Sequence, residues 1–115
     1  MEIKYFVQNF ILDDKSKKFL EEKIKKLERF SDKIWEAKVD VSYNPDRIKE
    51  QIFRLEINLR MPNKILRGVI RAANLQTAID QVEQKLKRQL RKYKGFGQTK
   101  KRLTQKIIRK IKRKI

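Results

Sequence analysis

The chain predicts a two-layer α+β domain in the order β-α-β-β-β-α, with a four-stranded sheet, both helices on one face, and a basic helical tail at the C-terminus. Three observations predict it. Four stretches carry a period-two pattern, clean in three and blurred in the last. Two longer stretches carry apolar residues at helical spacing. The last 31 residues hold 15 Lys and Arg and no Asp or Glu. Long helices combined with a run of antiparallel strands bury their apolar faces best as two layers.

The first strand is predicted over residues 2–8, where Ile3, Tyr5 and Val7 share one face and Lys4 and Gln8 the other. Asp13 suits a helix N-cap and Asp14 the first turn. From there to Phe30, the residues Phe19, Leu20, Ile24, Leu27 and Phe30 recur at helical spacing among charges of both signs. That pattern predicts an amphipathic helix with a mixed outer face. From Trp35 to Tyr43 the odd positions are Trp35, Ala37, Val39, Val41 and Tyr43, set against Glu36, Lys38, Asp40 and Ser42. A loop over 44–51 contains Pro45 and Asp46. Phe53, Leu55, Ile57, Leu59 and Met61 then alternate with Arg54, Glu56, Asn58 and Arg60. Pro62-Asn63 turns the chain into a fourth strand over 64–73, whose expected core set is Leu66, Gly68, Ile70 and Ala72. Asn74 suits the N-cap of a second helix. In that helix Leu75, Ala78, Ile79, Val82, Leu86, Gln89, Leu90 and Tyr93 fall within an arc of about 120° at 100° per residue. Gly95-Phe96-Gly97 ends the helix, which divides the chain into a domain over 1–95 and a basic amphipathic extension over 96–115.

Composition narrows the chemistry. A chain of 115 residues is one domain with a tail. With no cysteine, disulfides, thiolate metal sites and cysteine nucleophiles are excluded, and with no histidine the commonest general base and metal ligand are absent. No pair of carboxylates is placed as an acid/base couple and no Gly-rich phosphate loop occurs, so a binding protein is expected rather than an enzyme, with no cofactor, metal or small-molecule substrate. No apolar run approaches the roughly 20 residues of a membrane span, and the N-terminus lacks the long apolar stretch of a signal peptide. A cytoplasmic protein is expected.

The net charge of +18 asks for a polyanionic partner. On the second helix Lys85, Lys87, Arg88, Arg91, Lys92 and Lys94 follow Glu83, the last acid in the chain. Compensation of the helix dipole explains two or three such cations, not six. Such a face forgoes the ion pairs of a solvated helix and repels itself unless phosphates neutralise it. The tail adds nine cations in residues 98–115, among them Lys100, Lys101, Arg102, Lys106, Arg109, Lys110 and Arg113. Its Leu103, Ile107, Ile108, Ile111 and Ile115 share one side of a helical wheel. Three partners suit this segment: RNA, an anionic membrane surface, or the open sheet face. Continuity with the basic helix favours RNA. The aromatics Tyr5, Phe19, Phe30, Trp35, Tyr43 and Phe53 sit at core-compatible positions, whereas Phe6, Phe10 and Phe96 do not clearly do so. Phe6 is expected on the open sheet face.

The element order, the stretch KLERFSDKI at 26–34 and above all NLQTAIDQVEQKLKRQLRKYK at 74–94 resemble the ribosome hibernation promoting factor family, which includes short hibernation factors and the ribosome-associated inhibitor called protein Y. The matching signature is Asn74, then Ala78-Ile79-Asp80, then Lys85-Leu86-Lys87-Arg88-Gln89-Leu90-Arg91-Lys92, and the resemblance covers about residues 1–95. It implies a fold like a double-stranded-RNA-binding domain with an extra strand. It also implies a non-enzymatic factor that binds the small ribosomal subunit between head and body, overlaps the mRNA channel and the tRNA sites, and inhibits translation in stationary or stressed cells. Lys85, Arg88, Arg91, Lys92 and Lys94 would then contact rRNA, with Lys17, Lys18, Lys25 and Arg29 of the first helix as weaker candidates and ribosomal proteins of the decoding region as neighbours. Long members carry a linker and a second, dimerising domain, which these 115 residues are expected to lack. Two rival readings stay open: a constitutive ribosomal or structural RNA-binding protein, and a membrane-surface interaction protein acting through the tail.

Overall fold

A computed structural model of the chain describes residues 1–93, so the extension expected over 96–115 lies outside the described residues. The elements are β1 (Glu2–Gln8), α1 (Asp14–Leu27), β2 (Glu36–Tyr43), β3 (Phe53–Met61), β4 (Lys64–Ala72) and α2, helical over residues 75–93. The loop before β3 contains a short 3₁₀ turn, Lys49–Gln51. The strands form one sheet in sequence order.

The register explains the alternation. Tyr5, Val39, Ile57 and Gly68 stand in one row across the four strands, and Ile3, Ala37, Leu59 and Leu66 in the next row on that face. Side chains of one row share a face because the strand period is two. That face buries Val39, Val41, Leu55, Ile57 and Leu59 against Leu20, Ile24 and Leu27 of α1 and Ala78, Ile79, Val82, Leu86 and Leu90 of α2. Both helices therefore cover one side of the sheet, as expected, and each fully buried leucine or isoleucine contributes about 1.5–3 kcal/mol. The opposite face carries Lys4, Lys38, Asn58 and Arg67 in one row and Phe6, Asp40, Glu56 and Val69 in the next. Phe6 is 46% exposed there, with the Lys38 ammonium 4.9 Å from its ring centroid. The fourth strand takes the expected core set: Leu66, Gly68 and Ala72 are buried, and Ile70 is half-buried.

Asn74 caps α2 as its type suggests, its Oδ1 accepting from the Thr77 backbone N–H at 2.8 Å. Gly68 lets α2 lie close to β4, since a Cβ there would stand 3.0 Å from Val82 Cγ2. Pro62 and Asn63 form the tight β3–β4 turn, with Asn63 in the left-handed region at φ 60°.

Four details differ from expectation. The sheet is mixed: β1 pairs parallel with β2, because α1 carries the chain back across the sheet between them. Trp35 is not a core residue. It lies just before β2, at the sheet end, where the helices no longer cover it; it is 56% exposed, and Ile34 is buried in its place. Asp13 occupies the N-cap of α1 but makes no side-chain cap hydrogen bond. Finally, α1 stops at Leu27, and tighter turns follow in which the N–H groups of Glu28, Arg29 and Phe30 bond to carbonyls three residues back. Among the described residues no helix is long and apolar enough to cross a membrane.

Candidate nucleic-acid interface

The two helices lie side by side and run in the same sense. Near the middle of α1, Lys23 Nζ bridges Asp80 Oδ1 at 3.3 Å and Glu83 Oε2 at 3.2 Å on α2. These two carboxylates, Glu83 first, raise the pKa of the Lys23 ammonium above the ordinary lysine value. Just past the end of α1, the Phe30 ring lies beneath Lys87 Nζ and the Arg91 guanidinium, at 5.6 and 5.5 Å from its centroid. The acids in the first half of α2 are thus tied to α1, and charge in the second half is all of one sign.

The cations of that second half do not form a single face. Lys87 and Arg91, one turn apart, flank α1 and sit over Phe30. Lys85 leans the other way, its Nζ 3.3 Å from the Val69 carbonyl oxygen of β4. Gln89, on the same flank, donates from Nε2 to the Arg67 carbonyl oxygen at 2.8 Å. Lys92 is on that flank too, exposed, beside a cleft at the start of β4. Arg88 lies between the flanks and is exposed. Among the described residues, none of Lys85, Lys87, Arg88, Arg91 and Lys92 forms an ion pair with a carboxylate. Lys94 and the tail cations Lys100, Lys101, Arg102, Lys106, Arg109, Lys110 and Arg113 lie outside the described residues.

The first helix joins this strip only in part. Lys18, Lys25 and Arg29 are exposed, but at 100° per residue they fall on the flank of α1 away from Lys23 and Phe30, which touch α2. Lys17 sits over the Tyr5 ring, 5.1 Å from its centroid. Burial, reinforced by a hydrogen bond donated to Glu21, pushes the Tyr5 hydroxyl pKa up.

Aromatic residues also gather at this end of the domain: Phe30 and Tyr93, half-buried against the core, and the exposed Trp35. Lys64 lies over the Tyr93 ring at 5.5 Å, and the Arg60 guanidinium over Trp35 at 6.0 Å. With Phe30, three rings here each carry a cation. At the opposite end, Phe53 packs against Phe10 at 5.6 Å and Tyr43 at 5.2 Å, ring on ring. The spacing Phe30, Lys87 and Arg91 gave no signal in sequence, because only the helix pairing brings them together.

The open sheet face is less suited to a polyanion. Glu56 stands near its centre. Partial burial opposes its ionisation, but hydrogen bonds from Arg67, Asn58 and Arg54 outweigh that and hold its pKa below the usual carboxylate range. Glu36 similarly engages Lys4 at 3.3 Å and Arg60 at 3.9 Å. The face therefore spends part of its cations on its own carboxylates, which the second half of α2, among the described residues, does not.

A family model described as "Sigma 54 modulation protein / S30EA ribosomal protein" matches residues 3–96. A ribosome hibernation promotion factor of Deinococcus radiodurans is 33% identical over 87 residues, 76% of this chain and 46% of that protein. Another of the same name, from Staphylococcus aureus, is 33% identical over 86 residues, 75% of this chain and 44% of that protein. The chain spans about half the length of these curated relatives. The N-terminal domain of Thermus thermophilus Protein Y, a crystal structure, has a TM-score of 0.68 at 26% identity, covering 81% of this chain and 99% of that one. A ribosomal subunit interface protein from Coxiella burnetii shares the fold with a TM-score of 0.68 at 20% identity, covering 83% and 99%.

Proposed function

We infer the function from one premise: the chain belongs to the Sigma 54 modulation protein / S30EA ribosomal protein family, whose model matches residues 3–96. It is a ribosome hibernation factor of the cytoplasm. It binds the small ribosomal subunit and silences translation by occupying the mRNA channel and the tRNA sites. The observation that carries this reading is the second half of α2, where Lys87, Arg88, Arg91 and Lys92 have no carboxylate partner among the described residues. These cations repel one another on the free protein. Ribosomal RNA phosphates remove that repulsion and release counterions, so binding is driven electrostatically. Recognition follows backbone shape more than base sequence, because phosphate contacts position without specifying. The nine cations of residues 98–115 extend the same basic block, and the domain over 1–95 carries the primary contact.

Co-sedimentation with purified small subunits, paired with cell-free translation, tests the reading. The full chain should pellet with the subunit and inhibit translation in proportion to its occupancy. Absence of small-subunit binding at about 0.1 M salt, where electrostatic contacts retain strength, would overturn it.

A further inference from the structure

Two clefts open on either side of Tyr93. One, of about 430 Å³, is lined on the α1 side by residues of both signs, Glu28 and Asp32 with Arg29 and Lys33. The other, of about 400 Å³, is lined by Lys64, Ile65, Leu66, Gln89, Lys92 and Tyr93 and contains no acid. The second lies where β4 begins and α2 passes over it. Its size is within the range of about 300–1,000 Å³ in which small ligands are held.

The chemistry of this lining is specific. Tyr93 is half-buried, so its ring is held in place while one part stays accessible. Leu66, on the helix face of β4, supplies apolar contact at the base of the cleft, while Ile65 borders it at the strand edge with its side chain on the opposite face. Gln89 has its amide nitrogen engaged with the Arg67 carbonyl, which fixes the group and leaves the amide oxygen as an acceptor. Lys64 and Lys92 bring two positive charges to the rim, with no ion pair to a carboxylate among the described residues. An aromatic ring, an apolar contact from Leu66, one oriented acceptor and two ammonium groups together match a nucleotide.

We propose that this cleft takes one unpaired nucleotide of a single-stranded RNA segment. The base stacks on Tyr93 beside Leu66, the Gln89 amide oxygen accepts from a base N–H, and Lys64 and Lys92 bind the flanking phosphates. The base replaces the Lys64 ammonium on the ring, and the flexible lysine stem lets that charge follow the phosphate. A duplex cannot use the site, since its bases are paired and stacked. The α1-side cleft is less suited to a phosphate, because Glu28 and Asp32 offset the charges of Arg29 and Lys33 there. The proposal takes its RNA partner from the proposed function but asks more of it: that reading needs only phosphate contacts, and this one needs a free base.

The test is fluorescence anisotropy of the full chain with a labelled 12-nucleotide single-stranded RNA, the duplex of the same sequence, and uridine monophosphate as competitor. Tyr93→Ala should weaken single-strand binding by about fivefold or more, the low end of a lost base–aromatic stack, and leave duplex binding unchanged. Tyr93→Phe should bind as wild type. Tyr93→Leu, which keeps apolar bulk at this half-buried position and removes the ring, should give the same selective loss. A strand carrying 5-iodouracil should crosslink to Tyr93. Equal losses on single strand and duplex, no loss with either variant, or full competition by the mononucleotide at micromolar concentration would each overturn the single-strand site. If small subunits still bind while both variants match wild type on single strands, this site fails and the proposed function stands. If single strands show the selective loss and small subunits do not bind, the site stands and the function fails.

Discussion

The Gln89 side-chain amide donates from Nε2 to the backbone carbonyl oxygen of Arg67 at 2.8 Å. This contact pins α2 to the outer edge of β4, a strand with no further neighbour in the sheet among the described residues. An edge strand exposes unpaired backbone groups, and covering them with a helix is one way to keep the edge from pairing with another chain. Lys85, 3.3 Å from the Val69 carbonyl oxygen, acts at the next outward-facing position. Gln89→Leu removes the bond at little change in volume. It should lower stability by about 0.5–1.5 kcal/mol, the usual net value of one hydrogen bond. Urea unfolding checks this: the midpoint should fall with the slope unchanged, and an unaltered midpoint would show that the contact contributes nothing.

The closeness of α2 and β4 depends on Gly68. A Cβ there would stand 3.0 Å from Val82 Cγ2 and 3.2 Å from Leu86 Cγ, both in the buried core. Gly68→Val should cost about 1–3 kcal/mol through overpacking. Adding Val82→Ala to the same chain should recover part of that loss, because it empties the space the new side chain needs. Thermal melting of the two variants and of Val82→Ala alone measures the coupling, and strictly additive losses would contradict the packing account.

Charge on the outer surface of α2 should control ribosome binding. Arg88 and Arg91 are exposed, so Arg88→Gln with Arg91→Gln leaves the core untouched. Each lost phosphate contact should weaken small-subunit binding about five- to tenfold at 0.1 M salt, and the slope of log K against log salt should become shallower by about 1.5 for the pair. A salt titration of both proteins decides it. Equal slopes would remove these arginines from the interface.

Acid stability should depend on Glu56. Its hydrogen bonds to Arg67, Asn58 and Arg54 hold the folded carboxyl below its unfolded pKa, despite partial burial. A depressed pKa means that the stabilisation is present above the unfolded carboxylate value and is lost as pH falls through the folded one. Wild type should therefore lose stability more steeply than Glu56→Gln as pH drops from about 6 to about 2. Urea midpoints across that range provide the comparison, and parallel curves would rule the linkage out.

Much of the architecture was legible before folding was considered. Alternation gives β1 and β3 at their observed bounds, the blurred pattern of β4 still singles out Leu66, Gly68 and Ala72 as its core face, and the residue type of Asn74 predicts the cap it makes on α2. These features are local. A period of two or 3.6, or a cap residue three positions before the N–H it accepts from, is written in consecutive residues, so the chain alone determines it. The excess of positive charge, and with it a polyanionic partner, is likewise a property of composition.

Tertiary structure decided what depends on neighbours distant in sequence. Alternation in β1 says which face is buried but not which way its partner runs, and the parallel pairing to β2 follows from the crossover through α1. Trp35 keeps the rhythm of β2 yet is exposed, because a pattern does not show where a sheet ends and its cover stops. The helical wheel put the α2 cations on one outer side. Packing divides them, with Lys87 and Arg91 drawn over Phe30 and Lys85 drawn to β4, because a neighbouring element on each flank offers a ring or a carbonyl that solvent does not. The cleft beside Tyr93 is likewise assembled from the start of β4 and the second half of α2, more than 20 residues apart along the chain, and exists only because the core brings those two segments together.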